Sequence, residues 1–346
     1  MLSIKKIICV LGFLFTIACN QNMGFGSARK AEIKTVQLTW IEKWFAAWEL
    51  VSNDIFKLSP DSLPEMLFFD ETLIYTTSKI SAPDAPIVKG PKIFGQDLPW
   101  RTILHNNKIK LPNGQEVPVG LMTFAAPAKE GNVFFVMASP TFWKKAGIES
   151  KELDFEKMLT GVFLHEFAHT RQFQGFGSMI DSIERNHIFK DTELNDDIVQ
   201  DYFKKDTAYV NIFKAEVDKF YEAFFAESLT DTKRLTSEAI TLYKNRQHKY
   251  FIKEKIILND LDNIFLSMEG LGQFVAVSWL IHKEGGNIPF ATAVNGFRRK
   301  RNQWSQEEGL AMFLILDKLT NPNWNKNVFG KNPMYIIDLL ERAVKI

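Results

Sequence analysis

His165 and His169 lie four residues apart inside the run Met158-Leu-Thr-Gly-Val-Phe-Leu-His-Glu-Phe-Ala-His-Thr-Arg-Gln-Phe-Gln174, and this stretch permits little besides a helix. On a helix, side chains at i and i+4 stand one above the other, so two imidazole nitrogens can meet at one point. Glu166 is turned about 100° from His165, close enough to reach a water held at that point. Only Gly161 interrupts the helical texture, and Gly175 and Gly177 read as stop signals.

The rest of the chain arranges itself around that helix. Leu38, Ile41, Trp44, Phe45, Trp48 and Val51 recur at three-to-four spacing, which predicts a helix over about Thr35 to Lys57 with its aromatics in the core. Between Ser59 and Ser139 short apolar runs such as Met66–Phe69, Leu73–Thr76 and Val133–Met137 are separated by Pro, Gly and Asn, the texture of strands. Asn113-Gly114 between Lys108–Pro112 and Gln115–Val119 predicts a type I′ hairpin, its two prolines suiting an exposed edge. From about Ser150 the pattern is helical. The expected fold is therefore α+β: an N-terminal helix and strand-rich lobe over 35–150, then a mainly α-helical lobe over 151–346, with the histidine helix at the junction.

Residues 1–18 read as a secretory leader, with Lys5 and Lys6 before the apolar run Ile7–Ala18, too short to span a bilayer. Without them 40 basic residues face 41 acidic ones, a balance that argues against nucleic acid as a partner. Thr16-Ile17-Ala18-Cys19 resembles the lipobox of bacterial lipoproteins, with Thr16 where Leu is usual. That resemblance implies lipid on Cys19, a polar tether over 19–34 and attachment to the membrane of a bacterial envelope. No later segment reads as long and apolar enough to cross a membrane. With at most one of its two cysteines surviving, the mature chain can form no internal disulfide.

Leu164-His-Glu-Phe-Ala-His169 looks like the active-site helix of HExxH zinc metallopeptidases, and Val162, Phe163, Phe167, Ala168 and Thr170 suit that family's extended pattern; Arg171 departs from it. The resemblance implies Zn2+ on His165 and His169, Glu166 as the general base, and a peptide or protein substrate. Hydrolysis on zinc needs a third protein donor and an open fourth position. No His-x-x-Gly-x-x-His continuation follows Gln174, which excludes the metzincin branch. Glu269 is the best third donor: it shares a helix face with Phe265, Leu266, Gly272, Gln273 and Ala276, and a carboxylate in such an apolar seam needs a cation. Gly270 and Gly272 fit a place where a second helix or a metal approaches closely. Met268-Glu-Gly-Leu271 also resembles the Glu-Gly motif of gluzincin-type peptidases of the peptidase-MA clan, although Gln273 stands where Asp is usual. Glu227 and Glu222 remain rivals for the third position.

Other residues stay open at this level. Gly131–Ser139 fits the family's edge strand, which pairs with an extended substrate, and equally fits a core strand buried on both faces. Tyr243, His248, Tyr250 and His282 are candidate donors to a transition-state oxyanion. Arg298–Arg301 reads as a solvated basic loop, and His105 and His187 lack ligand-spaced partners. The expected activity is that of a membrane-tethered zinc metallopeptidase. The alternatives are a non-catalytic binding or assembly lipoprotein and a zinc hydrolase of a non-peptide amide.

Overall fold

The computed structural model describes residues 38–58, 62–128, 132–189, 192, 194–300, 302–320 and 322–345. The leader, the tether and the lipidation candidate Cys19 lie outside the described residues. The chain is mixed α+β, a strand-rich N-terminal region followed by a helical lobe. It forms two compact units: among the described residues, one comprises 38–49 and 62–149, the other 50–58 and 150–345.

In the strand-rich unit, α1 (Thr39–Leu50) buries Ile41, Trp44, Phe45 and Trp48 as its periodicity predicts. The helix continues as a π-helical turn, Val51–Ile55. The strands are β1 (Glu65–Phe69), β2 (Leu73–Thr76), β3 (Ile87–Val88), β4 (Trp100–Leu104), β5 (Lys108–Lys110), β6 (Glu116–Pro118), β7 (Thr123–Pro127) and β8 (Val133–Ala138), with α2 (Pro140–Lys145) following. Six of them form one sheet in the order β3-β4-β2-β1-β8-β7. β1 and β8 pair in parallel, Leu67 opposite Val136, and the other neighbours are antiparallel. One sheet face packs Leu67, Phe69, Phe134 and Val136 into an apolar cluster with Ile109 and Phe124. On the other, Phe68 meets Phe45 and Phe135 with ring centroids 6.2 and 5.7 Å apart.

Two sequence expectations change here. β8 is an interior strand, hydrogen-bonded to β1 on one side and β7 on the other. Its backbone has no free edge for an added strand, and the lost polar alternation in Val-Phe-Phe-Val-Met reflects burial on both faces. The β5–β6 hairpin forms, but not through a type I′ turn: Gly114 N–H donates to Leu111 O at 2.8 Å, and Gly114 rather than Asn113 has positive φ, +89°. Pro112 fixes a negative φ at the first corner, which selects a type I turn closed by a left-handed glycine.

The helical unit contains α3 (Phe155–His169), α4 (Ser178–Asn186), α5 (Ile198–Phe203), α6 (Thr207–Phe225), α7 (Leu229–Tyr250), α8 (Leu258–Ile281), α9 (Phe290–Phe297), α10 (Trp304–Leu319) and α11 (Ile336–Ala343). Asp154 starts α3 by accepting the Lys157 N–H at 2.9 Å. Gly175 is not a stop: it lies within a π-helical turn, Phe173–Gly177, and a Cβ there would meet the Gly330 carbonyl at 2.3 Å. The segment Lys253–Ile281 is, against expectation, long and apolar enough to cross a membrane by composition alone. It is buried inside this unit, where α8 packs against α3 and α10, so its hydropathy is that of a central core helix.

Small residues set how closely these helices approach. A Cβ on Gly270 would lie 2.4 Å from the Gly309 backbone carbon, so α8 and α10 touch main chain to main chain. A buried ion pair ties α6, α7 and α8 together. Arg246 of α7 places Nη2 2.8 Å from Glu216 and Nη1 3.1 Å from Asp262, and its Nη1 donates to the Tyr209 hydroxyl at 2.7 Å.

Candidate metal centre

α3 ends in the last turn that carries His165, Glu166 and His169, and all three side chains are buried. α8 crosses it with Glu269, which is fully buried. Gly272 makes the approach possible, since a Cβ there would sit 2.6 Å from His165 Nδ1. The three donors then converge. His165 Nε2 lies 3.2 Å from His169 Nε2 and 3.2 Å from Glu269 Oε2, and His169 Nε2 lies 3.4 Å from Glu269 Oε1. Among the described residues this is the one group of His, Cys, Asp or Glu whose ligand atoms gather as a metal's would.

The spacing supports a specific geometry. Ligand atoms about 2.0–2.1 Å from a tetrahedral ion stand about 3.3–3.4 Å apart, the separation seen in the triad. Burial pushes the His165 imidazole down to about 3, with the Arg299 charge adding to the effect, and pushes His169 down to about 4. Both rings are therefore neutral near pH 7, the form that offers a lone pair, and the close His–Glu contacts are not ion pairs. Burial raises the Glu269 carboxyl, and its Oε1 has no hydrogen-bond partner. Three buried ligand atoms gathered at this spacing, one of them a carboxylate oxygen with no hydrogen-bond partner of its own, fit a metal ion.

A second layer of residues orients this set. His169 Nδ1 lies 2.7 Å from Gln172 Oε1, so Nδ1 carries the proton and donates, which leaves Nε2 as the acceptor facing the triad. Gln306 of α10 donates Nε2 to Glu269 Oε2 at 3.1 Å, while its Oε1 accepts from Arg299 Nε at 2.8 Å and from Gln273 Nε2. Glu166 is not part of the triad, and its Oε2 has no hydrogen-bond partner. Its carboxyl is raised well above the usual range by burial, then by Glu269 and Asp196, with Arg299 opposing. A cation at the triad would draw that proton off and leave a base beside the metal.

The other sequence candidates fall elsewhere. Glu227 is exposed between α6 and α7, and Glu222 is an exposed partner of Lys219 at 2.6 Å. The Tyr243 hydroxyl donates to Asn263 Oδ1 at 2.8 Å, His248 is exposed, Tyr250 stacks edge-on against Tyr209, and His282 Nδ1 accepts the Glu284 N–H. His105 lies 2.9 Å from the Asp70 carbonyl, and His187 is exposed. The basic run is not a solvated loop. Arg298 pairs with the buried Glu307 at 2.7 Å and lies over the Tyr221 ring, and Arg299 joins the metal-centre network; Arg301 lies outside the described residues.

Sequence reasoning missed Gln172, Arg299, Gln306 and Asp196. One signal for Gln306 was available: Gln306-Glu307-Glu308 opens an otherwise apolar helix, and all three residues are buried. No protein-family model, curated protein or solved structure matches this chain.

Proposed function

We propose that this protein is a zinc-dependent amide hydrolase, a metallopeptidase, exported and held on a bacterial membrane through lipid on Cys19. The observation that carries the hydrolytic reading is the convergence of His165, His169 and Glu269 at 3.2–3.4 Å, with Glu166 adjacent to His165 on α3 and its Oε2 without a hydrogen-bond partner. Two imidazoles and one carboxylate are a donor set that suits zinc and leaves one position open. Zinc held there supplies Lewis acidity and lowers the pKa of water.

The chain's own residues supply the remaining chemistry. Glu166 takes a proton from the attacking water at its free oxygen and returns it to the leaving amine nitrogen. Gln172 fixes the His169 tautomer, and Gln306 holds the Glu269 carboxylate in place. Arg299, half-buried and linked to Gln306, contributes positive charge near the carboxylates, where negative charge develops during attack. The lipid anchor rests on the lipobox-like Thr16–Cys19 alone.

The test is a cleavage assay on a peptide library with purified protein, comparing wild type with Glu166→Gln. Retained zinc with at least about a hundredfold loss of turnover is expected, because the substitution removes a proton acceptor and no metal donor. A binding or assembly protein would behave identically in both forms. Peptidoglycan fragments assayed in parallel separate the peptide reading from that of a non-peptide amide.

A further inference from the structure

Of the three polar residues buried at the start of α10, two have partners already described: Gln306 holds Glu269, and Glu307 pairs with Arg298. Glu308 is the third. It reaches the junction of α6, α7 and α8, where Glu216, Arg246 and Asp262 are also buried. The junction thus holds three carboxyls and one guanidinium. Among the described residues, no other lysine or arginine pairs with any of the three.

The donors of Arg246 are committed away from Glu308. Its Nε lies 3.0 and 2.9 Å from the two Glu216 oxygens, and Nη2 adds a bond to Glu216 Oε1 at 2.8 Å. Nη1 serves the Tyr209 hydroxyl at 2.7 Å and Asp262 Oδ2 at 3.1 Å, and Asp262 takes a further bond from Gln247 Nε2 at 3.0 Å. Glu308 is left with Nη2 at 3.7 Å, beyond hydrogen-bonding distance, and no donor reaches either of its oxygens. A fully buried carboxylate in that state is far costlier than a neutral carboxyl. A proton on Glu308 turns it from an acceptor with nothing to accept into a donor, and the Glu216 carboxylate is its partner.

The surroundings favour keeping that proton. Around Glu308 stand Glu216 and Tyr209 from α6, Arg246 and Tyr243 from α7, and Asp262 from α8. Asp196 and Asp197, from the segment before α5, line a small cavity together with Glu308 and Asp262. Arg246 is the one positive group among these residues. Burial, followed by the Glu216 charge, holds the Glu308 carboxyl well above the usual carboxylate range, with Arg246 opposing.

We infer that Glu216 and Glu308 share one proton, and that this carboxyl–carboxylate bond is a pH-sensitive latch between α6 and α10. When the proton leaves to solvent, two negative charges oppose each other across the α6–α10 contact, two residues from Gln306. The latch lies on the helix that supports Glu269, yet it does not depend on the hydrolase reading.

The sign of the pH dependence follows from the shared proton. Unfolded, both carboxyls meet water and Glu308 titrates at its ordinary value of 4.5; folded, the pair keeps its proton well above that. Stability from the pair is therefore full below the ordinary value and is lost as pH rises toward the folded one, about tenfold in the unfolding equilibrium constant per pH unit.

Urea unfolding of the purified full chain is compared for wild type and Glu308→Gln between about pH 5 and about pH 7. The glutamine amide donates to Glu216 without carrying a titratable proton. The ratio of the two unfolding constants should change by about a hundredfold over this range, wild type losing ground as pH rises. Parallel profiles would overturn the inference. Glu308→Met, similar in volume and uncharged, should remove the same pH dependence at lower overall stability, and it serves where the amide variant does not fold. Infrared spectroscopy supplies a readout that packing alone does not move. The carbonyl band of a protonated carboxyl is expected in wild type at about pH 7 and should be weaker by one group in Glu308→Gln. A wild-type spectrum without that band overturns the inference whatever the variants do.

Discussion

Glu269 contributes one of three donors and the only carboxylate of the triad, whereas Glu227 is exposed on the connection between α6 and α7. Glu269→Ala should therefore weaken zinc affinity by at least about a hundredfold in titration against a competing chelator, while Glu227→Ala leaves it unchanged. The reverse pattern would return α8 to the role of ordinary core. At this scale the sequence is informative where chemistry depends on local spacing: i,i+4 on α3 fixes how His165 and His169 stand. Glu269 was singled out because a carboxylate among Phe265, Leu266 and Ala276 needs a cation, a proton or a polar partner once buried. Gln172, Arg299 and Gln306 act by hydrogen bonds whose meaning depends on which helices meet. Arg299 in particular sits in a basic run that, without tertiary structure, reads as solvent-facing.

The approaches of α8 to α10 and to α3 are set by glycines. Gly270 of α8 faces Gly309 of α10, and Gly272 makes room for the His165 ring. Gly270→Ala forces the two backbones apart at the residue next to Glu269. A loss of about 1–3 kcal/mol in chemical denaturation is expected, together with weaker zinc binding. A variant as stable as wild type would mean the helices are not in main-chain contact. The two glycines were read correctly as sites of close approach because an apolar helix gains nothing else from them. Strands β1, β2 and β8 were equally legible from apolar runs, whereas β3, β4 and β7 were not singled out, and strand order was not legible, since an interior and an edge strand share the texture of Val133–Ala138. The β5–β6 turn shows a local rule overridden by its neighbour: Asn-Gly favours one turn, and Pro112 selects another.

At the scale of the whole molecule, the long apolar helix Leu258–Ile281 serves as the centre of a core, carrying Asp262, Glu269 and Gln273 inside it. Composition alone cannot separate that role from a membrane span, because both need an apolar surface all round. Membrane attachment in this account comes instead from Cys19. Cys19→Ser should move the protein from the membrane pellet to the soluble fraction without changing its circular dichroism spectrum. Retention in the pellet after a carbonate wash would contradict the lipid anchor.

The central claim is that one metal ion belongs to His165, His169 and Glu269. Its most direct test is the metal content of protein purified without chelator, wild type beside His165→Ala. About one zinc per chain in wild type is expected, with only a small fraction of that in the variant, because the proposed site is one set of three donors and the variant loses one of them. Wild type free of zinc both as purified and after reconstitution, or a variant that retains a full equivalent, would contradict the account.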